Sequence, residues 1–154
     1  MKNWQKLVIS ILIPQVSGVL GALVTVSSVG SWYQTINKPS FNPPSWVFGP
    51  VWTTLYIMIG ISLYLIWKSN HPFKQRALWL FGIQMVLNAL WSPAFFGLES
   101  PLLGLIVIIP LWISILACIK LFKPISNTAA YLFIPYFLWV SFASLLNASI
   151  WYLN

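Results

Sequence analysis

Acidic side chains are almost missing: Glu99 is the only carboxylate in 154 residues, against eight Lys and Arg. Histidine and cysteine each occur once, as His71 and Cys118. These gaps remove whole classes of function. Two-carboxylate hydrolysis has no second acid. A metal centre needs several His, Cys or acidic ligands, and they are not there. No Gly-rich phosphate-binding run occurs. One cysteine makes no internal disulfide. Cys118 lies in an apolar run and reads as a small buried hydrophobe. Inside the apolar segments the only ionisable group among Asp, Glu, Lys, Arg and His is Lys120, near an end. Proton-coupled and ion-coupled transporters normally carry such groups at membrane depth. Their absence counts against a coupled pump, and against conventional acid–base catalysis.

Charge of either sign is scarce as well. Only 6% of residues are charged and 59% are hydrophobic, where a soluble domain carries about 25% charged residues. Such a chain cannot make a soluble surface; it reads as an integral membrane protein. Five apolar segments are expected to cross as helices, at about 7–26, 46–67, 77–95, 102–121 and 128–153, in one domain covering 1–154. A crossing needs about 20 residues at 1.5 Å each. The expected fold is therefore an all-α membrane protein, a five-helix transmembrane bundle with a Pro/aromatic-rich loop between helices 1 and 2. The net charge of +7 does not point to nucleic acid, because the cations sit at segment ends and form no patch. Seven of them (Lys2, Lys6, Lys68, Lys74, Arg76, Lys120, Lys123) share one side, and Lys38 alone lies on the other. The positive-inside rule then predicts a cytoplasmic N-terminus, with the 27–44 loop and the C-terminus outside. No Arg-rich presequence is seen, so a bacterial cell membrane is the expected address.

What is abundant is tryptophan and proline, ten and eleven residues respectively. Both concentrate in residues 32–56, with Pro39, Pro43, Pro44 and Pro50 among closely spaced aromatics. Proline fixes φ and removes a donor, so the first half of this stretch is expected to be stiff loop. Ser45 is a candidate helix cap before the apolar run from Trp46. The order Trp32-Tyr33-x-x-Ile36-x-Lys38-Pro39-x-Phe41-x-Pro43-Pro44-x-Trp46-x-Phe48-x-Pro50-Val51-Trp52-x-x-Leu55-Tyr56 resembles the translocator protein family, the tryptophan-rich sensory proteins or peripheral-type benzodiazepine receptors. Ile36 stands where Leu is usual and Phe41 where Trp is commoner. Two further blocks extend the resemblance over most of the chain. They are Gln84-x-x-x-Asn88-x-x-Trp91-Ser92 with Phe95-Phe96, and Pro135-Tyr136-x-x-Trp139-x-x-Phe142-Ala143-x-x-Leu146-Asn147.

The candidate site comes from two sources. Helical spacing places Trp52 with Tyr56 on one face, Gln84 with Asn88 and Trp91 on a second, and Trp139, Phe142, Ala143 and Leu146 on a third. Ala22, on the small-residue face of the first segment, is a border candidate. Aromatic plates carrying indole donors would suit a flat hydrophobic molecule with a few acceptors. The resemblance implies the rest. Matched to the family motif, Tyr33, Pro43, Trp52, Asn88, Trp91, Trp139 and Ala143 fall at the ligand pocket. The implied ligands are porphyrins of the protoporphyrin type and isoquinoline or benzodiazepine drugs, in a homodimer within the lipid membrane. No cofactor is required. No histidine lies in a span, so metal-free porphyrin is expected to bind at least as well as haem. Light-dependent porphyrin degradation, implied for some members, would use Trp52 and Trp139. Two alternatives stay open, an enzyme degrading porphyrin and a facilitator moving porphyrin or lipid-like molecules between leaflets. The basic residue that closes the C-terminal sterol motif of animal members is absent after Tyr152, so sterol transport is not carried over.

Overall fold

The structure, a computed structural model, describes residues 2–154. Six α-helices follow one another: α1 Asn3–Val29, α2 Trp32–Thr35, α3 Phe48–Lys68, α4 Lys74–Ser92, α5 Pro101–Phe122 and α6 Asn127–Leu153. All but the one-turn α2 belong to segments long and apolar enough to cross a membrane. Their apolar residues run around most faces, so lipid takes the place of a polar surface. Trp4, Leu23, Val26, Trp79 and Leu138 are among the large side chains left exposed.

Several boundaries differ from the sequence expectation, each for a local reason. α1 extends three residues past Val26, and α2 adds a helical turn inside the stretch expected to be loop. The prolines begin only at Pro39, and nothing before them obstructs a turn at 32–35. Ser45 does not cap. It opens a 3-10 turn, Ser45–Val47, in which the Val47 N–H donates to Pro44 O at 3.0 Å. The third span starts three residues early, at Lys74, and closes through a π-helical turn, Pro93–Gly97. There the Leu98 N–H reaches back to Pro93 O at 2.9 Å. Ser100 and Ser126 cap α5 and α6, accepting from the Leu103 and Ala129 N–H groups.

Two kinds of packing assemble the bundle. At the end carrying the basic loops, α3, α4, α5 and α6 enclose a dense aromatic and aliphatic core. Phe133 stands edge-on to Phe122 and Tyr136, with ring centroids 5.1 and 5.7 Å apart, and Phe81 lies 6.2 Å away. α1 joins this end through Gly60, where an added Cβ would lie 2.6 Å from Ile11 Cα and 2.8 Å from Ser10 O. Only a residue without Cβ lets the two backbones come so close.

Along α4, in contrast, α1 is held by a ladder of hydroxyls. Ser17 Oγ donates to Asn88 Oδ1 at 3.1 Å, and Ser92 Oγ to Gly21 O at 3.0 Å. Thr25 and Ser92 share a 2.6 Å hydrogen bond, and Ser28 Oγ donates to Phe96 O at 2.7 Å. The partners advance together along both chains, so α1 and α4 run parallel, joined over about three turns.

Candidate ligand cavity

Toward the other end, where α2 and the C-terminus lie, the core gives way to a cavity of about 580 Å³. Five spans contribute to it. α1 supplies Gln15, Gly18, Val19, Gly21, Ala22, Thr25 and Val26, and α3 supplies Gly49, Trp52, Thr53 and Tyr56. Asn88, Trp91 and Ser92 come from α4, Ile108 and Leu111 from α5, and Val140 and Ala143 from α6. Tyr33 and Phe96 reach it from the loop end.

The floor is a buried polar chain. Tyr56 Oη donates to Asn88 Oδ1 at 3.0 Å, beside Ser17. Asn88 Nδ2 donates to Tyr136 Oη at 2.9 Å, and Tyr136 Oη donates to Gln84 Oε1 at 3.0 Å. Each buried amide or hydroxyl would cost free energy if left unpaired, and the chain satisfies all but one of these groups. The exception is Gln84 Nε2, which is buried without a partner among the described residues. Trp52 stacks on Tyr56 at 5.3 Å and meets Tyr136 edge-on at 6.2 Å. One wall is thus an indole plate standing directly on the polar floor.

The loop between α2 and α3 closes this end. Tyr33 is buried against Phe96 and Phe95, at 5.4 and 6.3 Å. Its Oη donates to Asn42 Oδ1 at 2.8 Å. Burial raises the Tyr33 phenol above its usual value, with the Asn42 hydrogen bond opposing. Lys38 Nζ donates to Tyr33 O at 2.6 Å and Ile36 O at 3.0 Å, and sits 4.9 Å from the Tyr33 ring centroid. A clasp then ties the loop to the end of α6. Asn37 N donates to Asn154 Oδ1, and Asn154 Nδ2 returns a bond to Asn37 O, both at 2.9 Å.

Of the residues proposed from sequence, Ala22, Tyr33, Trp52, Tyr56, Asn88, Trp91 and Ala143 stand in the cavity wall. Pro43, Trp139, Phe142 and Leu146 do not. Of the expected strip Trp139, Phe142, Ala143 and Leu146, Ala143 alone lines the cavity. Val140 and Ala143, three apart, line the cavity. Trp139 and Phe142 belong to the neighbouring face, in contact with each other at 5.5 Å. Trp139 also meets Phe48 at 5.9 Å, and Phe142 meets Phe41 at 6.3 Å. Leu146 is buried in a separate cluster with Tyr33, Phe95, Phe96 and Ile150. Pro43 belongs to the loop and accepts from Asn42 Nδ2. The Trp91 N–H is engaged with Asn147 Oδ1 at 3.2 Å, so this indole offers the cavity its ring rather than its donor.

Sequence reasoning missed Gly18, Gly21, Thr25, Ile108, Leu111 and Val140 as wall residues. The glycines and Thr25 could have been found, since small residues along one helix face make room as well as contact. Among the described residues, no three His, Cys, Asp or Glu side chains come together as a metal site.

A five-span membrane protein enclosing an apolar cavity over a neutral polar floor is a binding architecture with no charged group in its wall. The chain belongs to the TspO/MBR family, whose pattern covers residues 10–153. It is 45% identical over 152 residues to the tryptophan-rich protein TspO of Archaeoglobus fulgidus, covering 99% of both chains. A tryptophan-rich protein TspO of Chlorobaculum tepidum is also 45% identical, over 89% of this chain and 88% of its own. The translocator protein of Bos taurus is 35% identical over 91% of this chain and 85% of that one. This is an integral membrane protein of TspO type.

Proposed function

We propose that the protein binds metal-free porphyrins of the protoporphyrin type, and flat apolar aromatic molecules of isoquinoline or benzodiazepine type, in the cavity of its loop end. The observation that carries this reading is the size and lining of the cavity. Ligand sites for such molecules are mostly apolar, about 300–1,000 Å³, with a few polar groups fixing orientation. Here about 580 Å³ is bounded by Trp52, Trp91, Phe96 and aliphatic side chains, with Tyr56, Asn88 and Ser92 as the polar points. Neutral donors and acceptors suit ring nitrogens and carbonyls, and the ionised propionates of a protoporphyrin would stay outside this wall. Light-driven loss of a bound porphyrin would go first through Trp52, the indole in the cavity wall, with Trp139 behind Phe48.

Titration of purified protein with protoporphyrin IX, read by its Soret absorbance, tests the proposal. Trp52→Ala removes stacking of about 1 kcal/mol and burial of about 2 kcal/mol. Together these predict roughly hundredfold weaker binding. Trp67→Ala, far down α3, leaves the affinity unchanged. Equal affinity in wild type and Trp52→Ala, with both folded, contradicts the cavity as the site.

A further inference from the structure

The cavity is not closed on all sides, and its opening faces one direction. Wall residues turned toward α4, α5 and α6 are buried, among them Asn88, Ile108, Leu111, Val140 and Ala143. Wall residues along the α1 and α3 margins are exposed: Val19 and Val26 at 60% and 75%, with Ala22, Gly49 and Thr53. The same two helices are in backbone contact lower down, at Gly60 and Ile11. At Gly49, by contrast, an added Cβ would meet nothing within 4 Å. α1 and α3 therefore part toward the loop end and leave a slot into the cavity.

The depth of the slot decides which phase it meets. Val19 to Val26 lie three to ten residues before the end of α1 at Val29, roughly 5–15 Å inside that end at 1.5 Å per residue. That places the α1 margin of the slot within one leaflet of the bilayer, while its α3 margin runs from Thr53 up to Gly49 in the first turn of α3 and Ser45 in the turn before it. The aqueous end is shut by other means: the Lys38 bonds, the Tyr33–Asn42 bond and the Asn37–Asn154 clasp.

We propose that the cavity is loaded sideways from the bilayer, through the slot between α1 and α3, so that its ligands are molecules dissolved in the hydrocarbon of the loop-end leaflet. An acyl chain of that leaflet is then the occupant that a ligand must displace. The proposal rests on the porphyrin reading for the kinetic probe, but the slot can also be tested without it.

The experiment uses the full chain in liposomes and a slot-filling variant, Gly49→Leu with Thr53→Leu. Both positions are exposed helical sites, and the leucines enter open space. Protoporphyrin IX is supplied in the lipid and its exchange is followed by fluorescence. The expected result is that the association rate falls tenfold or more, a larger factor than any accompanying weakening of Kd, and that dissociation slows as well. The clasp variant Asn37→Ala with Asn154→Ala leaves the rates unchanged. Unchanged rates in the slot variant, or faster exchange in the clasp variant, overturn the proposal in favour of an aqueous route through the loop.

If wild type takes up no porphyrin, the functional reading fails and the slot is judged by lipid quenching. Liposomes of lipids brominated along the acyl chain should quench the emission that disappears in Trp52→Phe, and the slot variant should relieve that quenching. Trp52 emission indifferent to brominated chains overturns the proposal on its own.

Discussion

α1 and α3 are sealed together at one end of the molecule and stand apart at the other. The difference traces to what faces what. At the basic end Gly60 receives the α1 backbone, and large rings fill the remaining space between α3, α4 and α6. Higher up, Gly18 still rests against the Tyr56 ring, where an added Cβ would lie 2.5 Å from Cε2, but beyond it Ala22 and Val26 of α1 and Gly49 of α3 border the cavity, and an added Cβ at Gly49 would meet nothing within 4 Å. A glycine opposite a backbone makes a seam, whereas a glycine opposite open space makes a cavity wall. The hydroxyl ladder to α4 explains why α1 does not simply fall inward. Ser17, Thr25 and Ser28 fix it at the spacing their hydrogen bonds allow.

The strongest way to break this comparison is to add one methyl to each seam. Gly60→Ala forces a Cβ against the backbone of Ile11, which cannot yield as a side chain would. It should cost about 3 kcal/mol, the upper part of the usual range for overpacking. Gly49→Ala meets nothing and removes a flexible residue from a helix, so it should stabilise by up to about 1 kcal/mol. Thermal unfolding of the two variants in the same detergent checks the opposite signs. Equal effects would mean that the two ends of the α1–α3 seam do not differ.

The boundary between the two regions is the polar chain around Tyr136, and removing its hydroxyl should have the next largest effect. Tyr136→Phe deprives Asn88 Nδ2 of its acceptor and Gln84 Oε1 of its donor, in a fully buried setting. The expected loss is about 2 kcal/mol. Tyr56→Phe should lose less, about 1 kcal/mol, because Asn88 Oδ1 keeps the Ser17 hydroxyl. Chemical denaturation of both variants tests the ranking.

The two regions were not equally legible in the sequence. All five spans follow from length and hydropathy, and their ends fall within a few residues of expectation because lipid rewards a continuous apolar run whatever its partners. The loop end depends on side-chain direction, which spacing gives only to within a neighbouring face. Trp139 and Val140 are adjacent in sequence; Val140 lines the cavity and Trp139 packs on Phe48 and Phe142. Lys38 was counted as the lone cation of its face. Its role in pinning the loop through two carbonyls could not be read from charge. Ser17, Thr25 and Ser28 lie in an apolar span with nothing in their spacing to mark partners. Their hydrogen bonds required knowing that α4 runs parallel alongside.

The central claim is that the loop-end space is a binding cavity and the basic end a packed core. One helix offers the paired test, because α6 carries Ala143 at the cavity wall and Ala130 in the core. Ala143→Leu fills empty volume, so its thermal midpoint should hold or rise while protoporphyrin IX binds at least tenfold more weakly. Ala130→Leu enters a filled core and should destabilise by about 1–3 kcal/mol, with affinity unchanged in the folded fraction. The direct measurement is the unfolding midpoint and porphyrin Kd of Ala143→Leu, taken on one preparation. A held or raised midpoint with weakened binding is the predicted result, and a lowered midpoint with unchanged binding would contradict it.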